Sequence, residues 1–482
     1  MAMERIEFGD SITGLVIDGV EGTPFVGATL RLTREQGVVV EVPYLSGWAV
    51  EQFEHVRAWF KSQTPPKNML LLTPQGTFSL FDVQWSGHSE NWGGRRTSIG
   101  TVRPTLTVLG DRDGTLADPL LMNEMHSRID GLNEWVRSSA VDDSRVTDEA
   151  GRIQEVTLRL HADEGLTWRQ GAATMTLRAG WLHSPEQDGY TRKTTIQDNV
   201  TLRSTFESGA RPFWDHFVEQ RKVANLMVFL FGHPLSFREH KLRDDRYAAR
   251  LNDGEIYAYP LTEIVTRHTY RERRIDIPSK KDLGRPLAHM VQVGGEGLAT
   301  WSDRYATWER FILPSVSVIG RKGGYLEDVV ISTSMSIEAA GGILGRRQGE
   351  DVTYNGRGRP TTATYVYRCL DVLDVLWPER IRDRVGLARA IANNYNDVKH
   401  YDRGDFPEHS ETYAVSEINQ MIVRLLAIYI TGRGDELLAT FRAGNDLYHL
   451  QQVLNSYGLR VAEAGHWEHD PESEGEQETS NA

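Results

Sequence analysis

The chain has 482 residues, 25% of them charged and 39% hydrophobic, and a net charge of −13. That composition describes a globular protein long enough for two or three domains, and the acidic balance excludes a generally basic nucleic-acid coat while leaving room for a local basic cleft. A lone cysteine, Cys369, excludes an internal disulfide and fits a reducing cytoplasm.

The first ten residues carry no apolar run, so no signal peptide is expected. From there to about residue 205 the signals are for strands. Short β-branched runs at 14–19, 28–33 and 37–42 are bounded by glycine or charge, and 69–72 and 77–83 flank a Pro74-Gln-Gly76 turn. Clean alternation returns at 156–161, 174–179 and 199–206, with one helix expected at 50–61. Many short strands with Gly-rich turns predict an antiparallel, sandwich-like β domain over residues 1–210.

From Pro212 the period becomes helical: Phe213, Phe217, Val223, Leu226, Met227 and Leu230 share a face that Gly232-His-Pro234 ends. Residues 235–300 are mixed and arginine-rich, which makes 211–300 a helical and mixed connector. From Trp301 the chain reads as helical, with segments at 326–344, 361–376, 381–401 and 411–429 and a shorter pair at 435–457. Helices of that length predict an all-α bundle over 301–460. An acidic tail, 461–482, is expected to be disordered. The fold class is therefore α+β multidomain. The most apolar runs, 226–231 and 425–430, are too short to span a bilayer, so no membrane partner is expected.

Several motifs invite a chemical reading. Phe8-Gly-Asp-Ser-Ile-Thr-Gly14 looks like the nucleophile block of GDSL-type hydrolases, with Ser11 as nucleophile, and Asp397-Val-Lys-His400 and Gly444-Asn-Asp446 look like that family's other blocks. Their order along the chain is wrong for it, and Gly-Asp-Ser reads more simply as a turn ahead of the first strand. Gly294-Gly-Glu-Gly297 follows no clear strand and lacks the Lys-Ser/Thr of a phosphate loop, so a plain loop is expected. His466 and His469 form a lone i, i+3 pair, and neither a His-Glu-x-x-His nor a paired-Cys motif occurs, so no metal and no cofactor is expected.

The richest stretch is Arg389 to Arg403. Ala388, Ile391, Tyr395 and Val398 recur at helical spacing as an apolar face, and Asn393, Asn396 and His400 follow the same steps beside it. Arg389 stands one turn before that polar stripe and Arg403 one turn after. Asparagine is a poor helix former, so a helix carrying Asn393, Asn394 and Asn396 has a polar partner or a site. A structural reading of His400, as a polar residue capping a helix end, stands beside the catalytic one.

On Asn394-Tyr395 followed by His400-Tyr401-Asp402, the C-terminal region resembles the HEPN domain of ApeA-type bacterial anti-phage proteins. The β-rich first half looks like the N-terminal domain of that family, and the segment around Ile337-Glu338 looks like the early bundle helix that carries an acidic residue. The resemblance implies abortive-infection defence by a metal-independent endoribonuclease acting on RNA, with tRNA one candidate class, in a homodimer that pairs two bundles. It implies a phage-derived trigger, with the β-rich half recognising it or restraining the nuclease. Such chemistry needs a proton-transfer group near neutral pH, which His400 supplies, and a fixed cation beside the phosphorane. The family's motif arginine is replaced here by Asn393, Asn394 or Tyr395, and Arg389 lies roughly 16 Å along a helix from His400 at 1.5 Å per residue. Arg403, Arg389, Asn393, Asn394, Asn396 and His400 are thus the candidate set, and the alternative is a silent bundle that binds or senses.

Overall fold

The computed structural model describes residues 5–46, 51–90, 96–110, 112–187, 189–251, 253–321, 324–381, 383–400, 407–444, 447–462 and 464–470. The chain divides into two compact units. The first takes residues 1–167, 172–220 and 236–277; the second takes 168–171, 221–235 and 278–482.

In the first unit the alternating runs pair as antiparallel strands. They are β1 (Ser11–Ile17), β2 (Val26–Thr33), β3 (Gly37–Leu45), β4 (Met69–Thr73), β5 (Gly76–Phe81), β6 (Gln84–Glu90), β7 (Thr97–Arg103) and β8 (Leu106–Leu109). The sheet continues through β9 (Glu124–Ile129), β10 (Ala173–Gln187), β11 (Arg192–Phe206), β12 (Phe237–Arg243) and β13 (Thr262–Thr266). Hydrogen bonding is continuous in the order β10-β11-β9-β12-β13-β8-β5-β4-β1-β2-β3-β7-β6, so the β-rich unit carries these strands in one antiparallel sheet. The period-2 pattern sets the buried face: in β2, Val26, Ala28, Leu30 and Leu32 are buried while Gly27 and Arg31 are exposed. They join Val40, Val42, Leu71, Phe78, Leu80 and Val102 in the core. Helix α1 (Glu54–Ser62) adds Val56 and Phe60 to it. A Cβ on Gly100 of β7 would lie 2.1 Å from the Phe60 ring, which is why that position is glycine.

Helix α2 (Phe213–Phe231) begins in this unit. Its first two turns meet the sheet through buried polar groups rather than apolar contact alone. His216 Nε2 donates to the Met122 carbonyl at 3.2 Å, so its Nδ1 accepts from the Ser204 hydroxyl at 2.9 Å. Gln220 donates to Ser204 Oγ and to the Met125 carbonyl, both at 2.9 Å. A second pair, Ser127 Oγ and His240 Nδ1, lies at 2.7 Å. Ser–His pairs suggest a nucleophile, but these side chains are at most 1% exposed, and burial pushes His216 down to about 4. They join strands and helix; they do not face substrate. Residues 235–300, mixed in sequence, supply β12 and β13 and helix α3 (Arg267–Arg273), whose N-cap Thr266 accepts from the N–H groups of His268 and Thr269.

The second unit is helical, as expected from residue 301 onward. It contains α4 (Met290–Tyr305), α5 (Glu309–Ile319), α6 (Leu326–Leu344), α7 (Thr362–Leu373), α8 (Arg384–Lys399), α9 (His409–Ile430) and α10 (Tyr448–Ser456). Helix α6 is central and touches α5, α7, α8 and α9. The glycine-rich 294–297 stretch is not a loop: it lies inside α4, where Gly294 at φ 67° kinks the helix. The tail expected from residue 461 begins instead with an ordered hairpin, Leu459–Val461 with Trp467–His469, because Leu459 and Val461 are buried. Among the described residues no helix is long and apolar enough to cross a membrane.

Candidate functional site

The site expected around His400 lies at the C-terminal end of α8. That helix starts where the Asp383 carboxylate accepts from the Gly386 N–H at 2.7 Å, and Arg384 pairs with Asp371 at 3.2 Å and with Asp374. Its apolar stripe is as spaced in the sequence: Ala388 and Ile391 are fully buried and Tyr395 is 1% exposed. The helix ends at His400, whose N–H donates to the Asn396 carbonyl at 2.9 Å while its backbone turns extended, at φ −114°. His400 and Asn396 are both half-buried and lie one turn apart.

The other candidates separate into different roles. Asn394 is buried: its Nδ2 donates to Thr412 Oγ1 of α9 at 3.3 Å, and its Oδ1 has no hydrogen-bond donor. It is a packing residue between α8 and α9. Asn393 is exposed and donates to the Gly465 carbonyl at 3.2 Å, on the loop of the C-terminal hairpin. Arg389 donates to the Val352 carbonyl at 2.6 Å, in the turn between α6 and α7. Arg403, with Tyr401 and Asp402 beside it, lies outside the described residues.

A cation absent from the sequence reading is Lys399, which immediately precedes His400. Its ammonium donates to the Tyr395 hydroxyl at 3.1 Å and lies 5.0 Å from that ring's centre. The Tyr395 hydrogen bond, and less strongly the charge of Glu338, raise the Lys399 pKa. Glu338, the acidic residue on α6, also accepts from the Thr362 hydroxyl.

Carboxylates gather on the α9 side. Burial, then Glu408 and Asp397, raise the Glu411 pKa, against a lowering by His469. His469 Nε2 lies 3.2 Å from Glu408 Oε2. The donor atoms of Glu408, Glu411 and His469 fall within 4.8 Å of one another, a spacing that could hold a metal ion. His469 therefore meets α9 carboxylates rather than pairing with His466. No sequence spacing announces this, because the hairpin brings it there from some 60 residues away.

The hydrolase blocks find no support in the fold. Ser11 is the first residue of antiparallel strand β1, opposite Arg31 of β2, not the tip of a strand-to-helix turn. Asn445 and Asp446 lie outside the described residues.

A family model described as ApeA N-terminal domain 1 matches residues 21–290, more than half of the chain. The chain belongs to this family. Membership makes it an ApeA-type protein and places it with antiviral defence, the class to which the resemblance pointed. The match covers β2 to β13, α1, α2 and α3 of this ApeA-family chain, leaves β1 outside, and ends at the start of α4. No curated protein and no solved structure matches it.

Proposed function

We propose that this ApeA-type protein acts in anti-phage defence as a metal-independent HEPN-like endoribonuclease, and that His400 is its proton-transfer group. The observation that supports the reading most is the placement of His400: a half-buried imidazole where α8 turns out of the bundle, one turn from the Asn396 amide and directly after Lys399. An imidazole there can take the 2′-hydroxyl proton, the amide can orient the phosphate, and a lysine or arginine can offset charge on the phosphorane. RNA, with tRNA as one class, is the substrate of this reading. A homodimer through the bundle would place two such helix ends in one cleft. The β-rich unit would receive the phage-derived trigger. No resident cofactor takes part.

A specific observation favours a second reading, a silent bundle that binds or senses. Asp397 lies on the same helix end as His400, with Glu408 and Glu411 beyond it, and carboxylates repel a phosphodiester. Arg389 and Asn394 are occupied with the fold.

RNA integrity in cells expressing the full chain or His400→Ala, with and without phage challenge, separates the two. Loss of a general acid–base residue lowers cleavage by about 10²–10⁴-fold. RNA that stays intact with the wild-type chain while protection persists refutes the nuclease reading.

A further inference from the structure

The first unit holds a cavity of about 390 Å³ that the ribonuclease reading does not use. Its size lies in the roughly 300–1,000 Å³ range of small-ligand pockets. It is walled by Trp85, Trp214 and Tyr270 and rimmed by Arg103, Arg267 and Arg271.

Each part is positioned by the sheet. A bulge in β6 leaves Ser86 without a partner between Trp85, opposite Val102, and Gly87, opposite Thr101. Bulges of this kind re-aim side chains beside binding sites, and both Trp85 and Ser86 line the cavity. Trp214 is set edge-on against His268 at 5.3 Å and Phe217 at 5.8 Å. Tyr270 is held by the β2–β3 turn: Gly37 sits at φ +77°, and a Cβ there would lie 2.4 Å from the Tyr270 ring.

Two polar groups are unspent. The Trp85 Nε1–H and the Arg103 Nε–H are both buried without an acceptor, which costs stability unless something fills the role. Arg267 and Arg271 are exposed and, among the described residues, no carboxylate pairs with them or with Arg103. Three guanidiniums without a carboxylate partner among the described residues and the side chains of Trp85, Trp214 and Tyr270 line one space.

Guanidiniums bind phosphate oxygens bidentately, and tryptophan and tyrosine faces stack on nucleobases. We propose that this cavity binds a nucleoside mono- or diphosphate, its base against Trp85 and Trp214 and its phosphates on Arg103, Arg267 and Arg271. Glu35, also on the wall, offers an acceptor for ribose hydroxyls. The inference does not depend on ribonuclease activity.

The test is calorimetric titration of the purified full chain with AMP, ADP, GDP and UDP, and with adenosine, pyrophosphate and a hexaglutamate peptide as comparisons. Saturable binding of at least one nucleotide is expected at or below roughly 100 μM, at least about tenfold tighter than adenosine or pyrophosphate. Arg267→Gln and Arg271→Gln change exposed side chains and leave the fold intact; each should weaken binding about tenfold. Arg274→Gln, exposed and off the cavity wall, should not. Trp85→Phe removes the indole N–H while keeping a ring and should weaken binding less than an arginine loss. Absence of saturable nucleotide binding up to about 1 mM overturns the proposal. So does nucleotide binding indifferent to Arg267 and Arg271, or a preference for the hexaglutamate peptide, which would make the cavity a peptide site.

Discussion

Arg368 on α7 is the clearest place to test how the helical unit is held. Its guanidinium forks onto the Glu350 carboxylate with two hydrogen bonds of 2.8 Å and donates a third, of 3.2 Å, to the Gly341 carbonyl of α6. Glu350 is fully buried; besides Arg368 it accepts from the Tyr354 hydroxyl at 2.6 Å and the Arg347 N–H at 2.7 Å. The Arg368 hydrogen bonds, helped by Tyr354 and Arg347 against the effect of burial, hold the Glu350 carboxyl down to about 2. Arg368→Met keeps the volume but leaves a buried carboxylate with two neutral donors. Breaking one side of such a pair costs about 3–5 kcal/mol, a fall on the order of 10 °C in the melting of a unit this size. Adding Glu350→Gln to Arg368→Met removes the stranded charge and should restore most of the loss, because replacing both partners is close to neutral. Calorimetric unfolding of wild type, both single variants and the double variant at pH 7 gives the coupling. The pH series adds a sign. A folded pKa below the ordinary 4.5 means that the contribution of Glu350 is complete above about pH 5 and is lost as pH falls toward 2. The deficit of Arg368→Met should therefore shrink in acid. A single variant within about 1 kcal/mol of wild type, or a double variant no better than Arg368→Met, refutes this account.

Other substitutions separate packing from function. Asn394→Ala removes a buried amide bonded to Thr412 and should destabilise the unit by about 1–3 kcal/mol in denaturant unfolding, whereas the exposed Asn393→Ala should stay within about 1 kcal/mol; a reversed order would show that the two amides are misassigned. Gly341→Ala would put a Cβ 2.3 Å from the Tyr365 carbonyl oxygen at the α6–α7 crossing, costing about 1–3 kcal/mol or more, while Gly342→Ala, with open space around it, should be neutral or slightly stabilising in the same melt.

Much of this architecture is legible in local pattern. Alternation over a few residues specifies strands, and the 3.6-residue stripe of Ala388, Ile391 and Tyr395 specifies α8, because side-chain direction repeats with the backbone period. The bounds of α6 at Leu326–Leu344 and the apolar face of α2 follow from the same rule. Where local rules failed, a distant contact decided. The glycines of 294–297 look like a loop, yet they lie inside α4: Gly294 marks its kink, and Gly297 is buried in the helix. The strands β12 and β13 are short and lie in a mixed stretch, with Arg238 and Arg243 on β12, and pairing with their neighbours in the sheet sets them as strands.

The candidate site divides in the same way. The residue types on α8 and the position of His400 at its end were in the sequence. That Asn394 points into the α8–α9 contact while Asn393 reaches a hairpin was not, because adjacent helical residues differ by about 100° in direction and the partners lie 18 and 72 residues away. Nor could spacing reveal the Glu408–His469 contact, the Glu350–Arg368 pair or the arginine-rimmed cavity. Sequence by itself determined the β-then-α order of the chain and most of the elements within it, since those depend on backbone period and turn chemistry. Tertiary structure decided which polar side chains meet, since strand order and helix packing bring together groups that the chain keeps far apart.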